Sequence, residues 1–585
     1  MNISVFKDRK FRIGVQALFI YTWLTNLSGT DSFLTVYLLC ALTGVLCLWD
    51  NQQNEERPAL WVQILAFLLA GLFGMATVLA NYPLFEPLYA MISLFNGGCA
   101  FLGGFFVAWN ILICAIRRLP LASDPRQPVR ERNRAALWFF AFTGAVAAVF
   151  LLYLFTTGYP VYLAHDSIVS LNQIKAGVYS NHHPYWYTRF IQACMDLGYL
   201  SSSDVNVAAA VYSSIQALIL AMCLGYCLVT LYQAGVPMWC VAAVLAMSAL
   251  LPYNITYSIT MWKDTLFGGC SLAVMTALYR ILKKIGKWQW LNYAVFALTG
   301  IGFCLVRNNG FPVFFVWTAF LLVFLGRKHW KLLLICLLVL AIGWFMTGPM
   351  LDILEVESTE MVEILAVPFQ QIARVIAYDY PIAEEDMAFL KEMFWIDRVK
   401  ELYTPYIVDP IKFEAMRPDG EAFMRANMGE FFSVWLRLGL KYPGEYVKAW
   451  VEETKGYWNG GYYYWIYIRG TYPASSGIGG FHPDNLGKDL FDALFRYTEK
   501  PIIMEPFYSI GLQVWALISC CFVCFAQKRK EFLTAIPMVV LSAVLWVMTP
   551  VYAEFRYAYP MFVTCPLILL TTVFAGPSEK GPVKS

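Results

Sequence analysis

Charge is scarce in this chain. Asp, Glu, Lys and Arg make up 14% of its 585 residues, against roughly 25% in soluble proteins. So thin a charged complement excludes a soluble multidomain enzyme, a coiled coil, a disordered scaffold and a nucleic-acid binder. Histidine is scarcer still, with five residues. Cysteine is missing from 350–505, although fifteen occur elsewhere, nearly all in apolar runs such as those holding Cys223, Cys227, Cys520, Cys521 and Cys524. The 350–505 segment therefore folds without disulfides even if it lies outside the cell, which suits a bacterium more than a secretory pathway. No Cys-x-x-Cys pair stands at zinc spacing in a polar stretch.

Apolar residues are abundant, at 59%, and the mean hydropathy is +0.55. Runs of about 17 to 25 apolar residues mark membrane-spanning helices. They fall near 11–28, 31–49, 60–80, 88–115, 135–156, 206–232, 237–252, 264–282, 290–306, 311–326, 331–348, 507–526, 533–549 and 559–576, which predicts about fourteen spans. Lys7, Arg9, Lys10 and Arg12 precede the first run without a small-residue cleavage site, the pattern of a retained anchor. Basic clusters at 117–134, at Lys283, Lys284 and Lys287, at Arg327, Lys328 and Lys331, and at Lys528, Arg529 and Lys530 then all fall on the cytoplasmic side with the N-terminus, as does the tail with Lys580 and Lys584.

The net charge of +3 conceals an asymmetry. Residues 350–505 hold 25 acidic and 15 basic side chains, whereas the remainder holds 15 and 28. The expected organisation is an N-terminal membrane extension of about four spans (1–134), a membrane core (135–349) with a first outer loop (157–205), an extracytoplasmic, mostly helical insert (350–505), and C-terminal spans with a cytoplasmic tail (506–585).

The outer loop carries most of the chemistry. Asp166, Ser170 and Gln173 are spaced i, i+4, i+7, on one face of a short helix. Ile168, Leu171 and Ile174 line much of the other face, and Gly177 is a plausible terminator. An Asn181-His182-His183-Pro184 turn follows. A carboxylate at a membrane surface with His nearby suits general-base work on a hydroxyl; the alternative is that Asp166 caps the helix and the histidines are polar turn residues. A divalent metal on Asp166, His182 and His183 is conceivable, but adjacent histidines seldom ligate one metal and no clear ligand set is present.

Three cations lie in short turns on the outer side, against the usual bias: Lys263, Arg307 and Arg556. Lys263 precedes Asp264 at a span start, where the dipole favours an anion. Arg307 opens the polar turn Arg307-Asn308-Asn309-Gly310, and Arg556-Tyr557 follows Glu554. Together they suggest a cationic pocket for phosphate beside carboxylates; the alternative for each is a snorkelling cation. In the insert, Val367 to Arg374 looks like a helix start with Gln370, Gln371 and Arg374 on one face. Gly456 to Trp465 is densely aromatic, suiting either sugar stacking or an interfacial belt.

These residues resemble the GT-C superfamily of polyprenyl-phosphate-sugar-dependent membrane glycosyltransferases. The stretch from Asp166 through Gln173 to Asn181-His182-His183-Pro184 looks like the acidic first outer loop of that superfamily, and Glu554-Phe555-Arg556-Tyr557 looks like its late Arg-Tyr turn. Lys263-Asp264 and Pro368 to Arg374 look like segments of an uncharacterised bacterial multi-pass group. The resemblance covers roughly 140 to 575 and lacks a second acid beside Asp166. It implies transfer of a sugar from a polyprenyl-phosphate carrier to an envelope glycan or lipid at the outer leaflet. Asp166 would act as base, with Lys263, Arg307 and Arg556 holding the departing lipid phosphate and His182, His183, Gln173, Asp264, Asn308, Arg374 and Tyr557 supporting donor and acceptor. The rival readings are a lipid or polysaccharide flippase, against which stands the absence of internal repeats, and a non-catalytic glycan-assembly protein.

Overall fold

The computed structural model describes residues 8–27, 34–54, 56–84, 90–121, 134–357, 361–461, 470, 472–480 and 485–575. The fold is almost entirely helical. In the first half α1 (Arg9–Leu27), α2 (Leu34–Gln53), α3 (Leu60–Ala80), α4 (Ala90–Arg118) and α5 (Ala135–Thr156) precede two loop helices, α6 (His165–Ala176) and α7 (Tyr185–Tyr199). Then come α8 (Val205–Gln233), α9 (Met238–Leu250), α10 (Pro252–Ile259), α11 (Lys263–Lys283), α12 (Gln289–Val306), α13 (Gly310–Leu325) and α14 (Trp330–Thr347). A layer of shorter helices follows: α15 (Pro349–Ile353), α16 (Ala366–Ala377), α17 (Glu384–Met393), α18 (Ile396–Leu402), α19 (Gly420–Ala426), α20 (Met428–Lys441), α21 (Pro443–Thr454) and α22 (Leu486–Thr498). The chain ends with α23 (Pro501–Tyr508), α24 (Ile510–Ala526), α25 (Phe532–Met548) and α26 (Phe555–Phe574).

Every one of the fourteen apolar runs forms a helix. Among the described residues nine helices are long and apolar enough to cross a membrane, or eleven if two bent pairs each count as one span. This makes the chain a polytopic helical membrane protein. The bends differ from the sequence expectation and have local causes. Leu251 separates α9 from α10, which meet at 50°, because Pro252 cannot continue a helix but suits the first turn of the next. All eight residues of α10 are buried, so the run expected at 237–252 is a short helix, α9, and an internal helix follows where that run ends.

Among the described residues the two largest hydrophobic cores are distinct. The main core joins α5, α8–α14 and α24–α26, with Trp317, Phe267, Tyr257 and Tyr559 fully buried. A second core gathers Phe369, Ile372, Leu390, Met393, Phe431 and Val434 within 362–446. That second core holds Arg374, whose guanidinium donates to Glu445 (2.8 Å) and Glu452 (2.6 Å) and lies over the Tyr378 ring. The aromatic stretch expected at a surface is internal as far as it is described: Tyr457 is 0% and Trp458 4% exposed, with Trp458 stacked on Trp450. Residues 462–465 lie outside the described residues, as do Lys7, the middle of the 117–134 arginine cluster, Lys580 and Lys584.

Candidate functional site

The 157–205 loop is pinned just ahead of α11 by backbone pairing. Tyr162 N–H donates to Ile259 O (3.0 Å) and Met261 N–H to Tyr162 O (2.9 Å). Ser167 then fixes the first turn of α6: its hydroxyl accepts from Ala164 N–H (2.9 Å) and donates to Met261 O (2.8 Å). The cap position is therefore Ala164 and the capping oxygen belongs to Ser167, which leaves the Asp166 carboxylate free for other partners. Gly177 ends α6 in the left-handed region at φ 70°, as expected. The buried face of α6 is Ser167, Ser170 and Leu171, while Ile168 and Ile174 are only partly covered; the helix packs on polar side chains and backbone as much as on lipid-like surface.

Asp166 meets two cations from different helices. Its Oδ2 accepts from Lys263 Nζ at 3.1 Å and from Arg556 Nη1 at 2.7 Å. Burial alone would raise this carboxyl, but Lys263 and Arg556 hold it well below the usual carboxylate range, so Asp166 is ionised. Arg556 also reaches Glu554 (Nε to Oε1, 3.3 Å) and lies over the rings of Trp262 and Tyr557. Tyr557 is shared: Arg307 lies 4.6 Å from the same ring. Arg307 in turn donates to Asp264, which is fully buried and whose second oxygen has no partner among the described residues.

Close helix approach makes this possible. A Cβ on Gly268 would stand 2.7 Å from the Tyr559 ring, so a glycine here lets α11 and α26 bring Lys263-Asp264 against Arg556-Tyr557. A Cβ on Gly310 would lie 1.8 Å from Phe303 O, so only glycine closes the Arg307–Gly310 turn.

The remaining expectations fare unevenly. His183 is buried, and its Nδ1 accepts from Lys263 Nζ (2.9 Å). Burial, followed by Lys263, pushes its imidazole down to about 2, so it is neutral and its 3.9 Å approach to Asp166 is no ion pair. His183, expected to support donor or acceptor, is here a neutral acceptor that orients Lys263. His182 packs edge-on against His183. Asn308 donates to Asn181 O (3.1 Å), tying the histidine turn to the α12–α13 turn. Gln173 donates to Ser180 Oγ (3.0 Å), a contact that braces the loop rather than the cluster. The partners of Arg374 are Glu445, Glu452 and Tyr403, away from the Asp166 cluster, and Glu452 also accepts from Tyr82. Among the described residues no group of three or more His, Cys, Asp or Glu is arranged to hold a metal.

Glu554 was not singled out as a site residue, although its place two residues before Arg556 was a signal. It is 6% exposed, its backbone N–H donates to Tyr457 Oη (3.0 Å), and burial raises its carboxyl to about 7 against the pull of Arg556, with Asp264 and Asp166 adding to the rise.

Fold and site together define a class: a multi-pass helical membrane protein in which a loop carboxylate is ion-paired to cations at the N-terminal ends of two buried helices. Residues 159–582 match DUF6020, a family of unknown function, and the chain belongs to that family. The match begins just after α5, so α1–α5 precede it. No curated protein and no solved structure matches the chain.

Proposed function

We propose that this protein is a membrane glycosyltransferase of GT-C type, moving a sugar from a polyprenyl-phosphate carrier to an envelope glycan or lipid at the outer leaflet. The observation that carries the reading is the contact of Asp166 with Lys263 and Arg556, which sets an ionised carboxylate directly beside two cations. In this reading the chain crosses the membrane about fourteen times, both termini are cytoplasmic, and 350–505 is an extracytoplasmic insert.

The acceptor hydroxyl oxygen attacks the anomeric carbon, the bond from that carbon to phosphate oxygen breaks, and the lipid phosphate leaves with the electron pair. The hydroxyl proton passes to Asp166. In the resting state Asp166 is a weak base because both cations hold it. A phosphate arriving at Lys263 and Arg556 shares their charge and raises the proton affinity of the carboxylate, so donor binding switches on the base. Arg307 and Tyr557 stiffen Arg556 from behind, and His183 orients Lys263.

The test compares envelope glycan composition in cells with the gene, without it, and with Asp166→Asn. Loss of one glycan modification in the last two supports the enzyme. Normal modification with Asp166→Asn would instead favour a binding or assembly role, and a changed lipid distribution with unchanged glycan would favour a flippase.

A further inference from the structure

A second feature lies away from the Asp166 cluster. A cavity of about 470 Å³ opens between α2, α3 and α4 on one side and α24 and α26 on the other. Its α2 wall runs from Val36 to Cys47, roughly 16 Å along the helix axis and about half the thickness of a bilayer's hydrocarbon core. Leu69, Phe73, Val107, Ile111, Leu512 and Val523 are typical of its lining. The volume falls in the range of small-molecule sites, roughly 300 to 1,000 Å³.

One end is different. Asn459 lines it and is 3% exposed. Its Oδ1 accepts from Tyr37 Oη at 2.8 Å, yet its amide nitrogen is buried with no partner among the described residues. Buried donors are rarely left unpaired, so something in this space should accept from it. Asn459 stands at the same end of the bundle as the Asp166 cluster, because Tyr457 Oη meets Glu554 N–H at the start of α26. Trp458 and Trp515 flank it, the ring types that gather at headgroup level.

We propose that this cavity binds one acyl chain of a membrane phospholipid, whose ester carbonyl accepts the hydrogen bond from Asn459. The charge pattern selects this occupant over an isoprenoid phosphate. The polar end offers an amide and a phenol, whereas the lining arginine, Arg118, sits at the opposite end; a phosphate head at Asn459 would meet no cation of the lining. The walls also give the lipid a role. Helices α2–α4 precede the DUF6020 match while α24 and α26 lie within it, so the acyl chain fills the seam between the N-terminal helices and the family body.

The full chain, purified in mild detergent, is examined by native mass spectrometry, with released lipid identified after denaturation. About one phospholipid per chain is expected. Asn459→Ala should weaken retention by about 2- to 10-fold, the loss of one hydrogen bond. Ala516→Phe, which fills the slot, should abolish retention, and Tyr37→Phe, which spares the amide donor, should not. Absence of lipid from the wild type, a retained isoprenoid phosphate, or equal retention by Asn459→Ala and Ala516→Phe would overturn the proposal. A retained isoprenoid phosphate would overturn this proposal while favouring the donor assigned to the Asp166 site; the other outcomes leave the Asp166 reading untouched.

Discussion

Replacing Asp166 by Asn keeps the shape and one acceptor oxygen but removes the charge that faces Lys263 and Arg556. Breaking a buried ion pair typically costs about 3 to 5 kcal/mol, because the surviving charge is left uncompensated. Here the cost is smaller. Asp166, Lys263 and Arg556 keep 15%, 13% and 19% of their side-chain surface exposed, Arg556 retains Glu554 and two aromatic faces, and Lys263 retains His183. We therefore expect a loss of about 2 to 3 kcal/mol, seen as a fall of a few degrees in the unfolding midpoint of detergent-purified protein. Adding Lys263→Met removes one stranded cation, so the double variant should recover about half of that loss, a coupling of roughly 1 to 1.5 kcal/mol. Glycan modification behaves differently. It should fall by about 10²- to 10⁴-fold with Asp166→Asn and stay lost in the double variant, since the base is absent in both. Recovery of modification together with stability would show that Asp166 is a structural counter-ion, and a thermally neutral Asp166→Asn would refute the ion-pair geometry itself.

Three further outcomes follow from the same geometry. Glu554 has a folded-state carboxyl at about 7, above the unfolded value of about 4.3; its contribution is fully present below about pH 4.3 and is lost as pH rises through 7, so Glu554→Gln should flatten a decline in thermal midpoint between pH 5 and 8, and a wild-type curve without that decline would count against the assignment. Gly268→Ala places a methyl 2.7 Å from the buried Tyr559 ring and should cost about 1 to 3 kcal/mol with loss of glycan modification, whereas Gly144→Ala, with nothing within 4 Å, should be tolerated; equal behaviour of the two would remove the close-approach argument. A cysteine at Asp419, exposed before α19, should react with an impermeant thiol reagent on intact cells, and labelling only after lysis would invert the proposed topology.

The helices were legible because apolar runs of span length need no tertiary information. Pro252 shows the limit of that reading: it closes the apolar run 237–252 and opens a new helix, and the buried α10 beyond it was missed. Helix α7 was missed for a different reason, since its buried residues Tyr187, Thr188, Ile191, Cys194 and Met195 mix with Arg189 and Gln192 and give no long apolar run. Arg374 illustrates the converse error. Its segment looked like part of a site, but its partners Glu445 and Glu452 lie some seventy residues further on, and nothing local marks them as partners.

The Asp166 cluster was half legible, and the half that was hidden changes its chemistry. Residue type and the expected membrane side grouped Asp166 with Lys263, Arg307 and Arg556, since cations in short turns expected on the outer side go against the usual bias and so call for a counter-charge or a ligand. The sequence could not say which acid would meet which base. The pairing follows from the bridge of Tyr162 to Thr260, which sets α6 beside α11, and from the close contact of α11 with α26 at Gly268. The result is two unequal ion-paired groups. Asp264 and Arg307 are fully enclosed and suit a structural strut behind Tyr557. Asp166, Lys263 and Arg556 remain partly open, and only they can exchange partners with an incoming anion without unfolding the helix ends. A carboxylate held by two cations is a poor base until one of them is drawn away. In the proposed reading an anionic donor competing for those same cations does so, and that reading requires base and phosphate site to be adjacent rather than merely on the same face of the membrane.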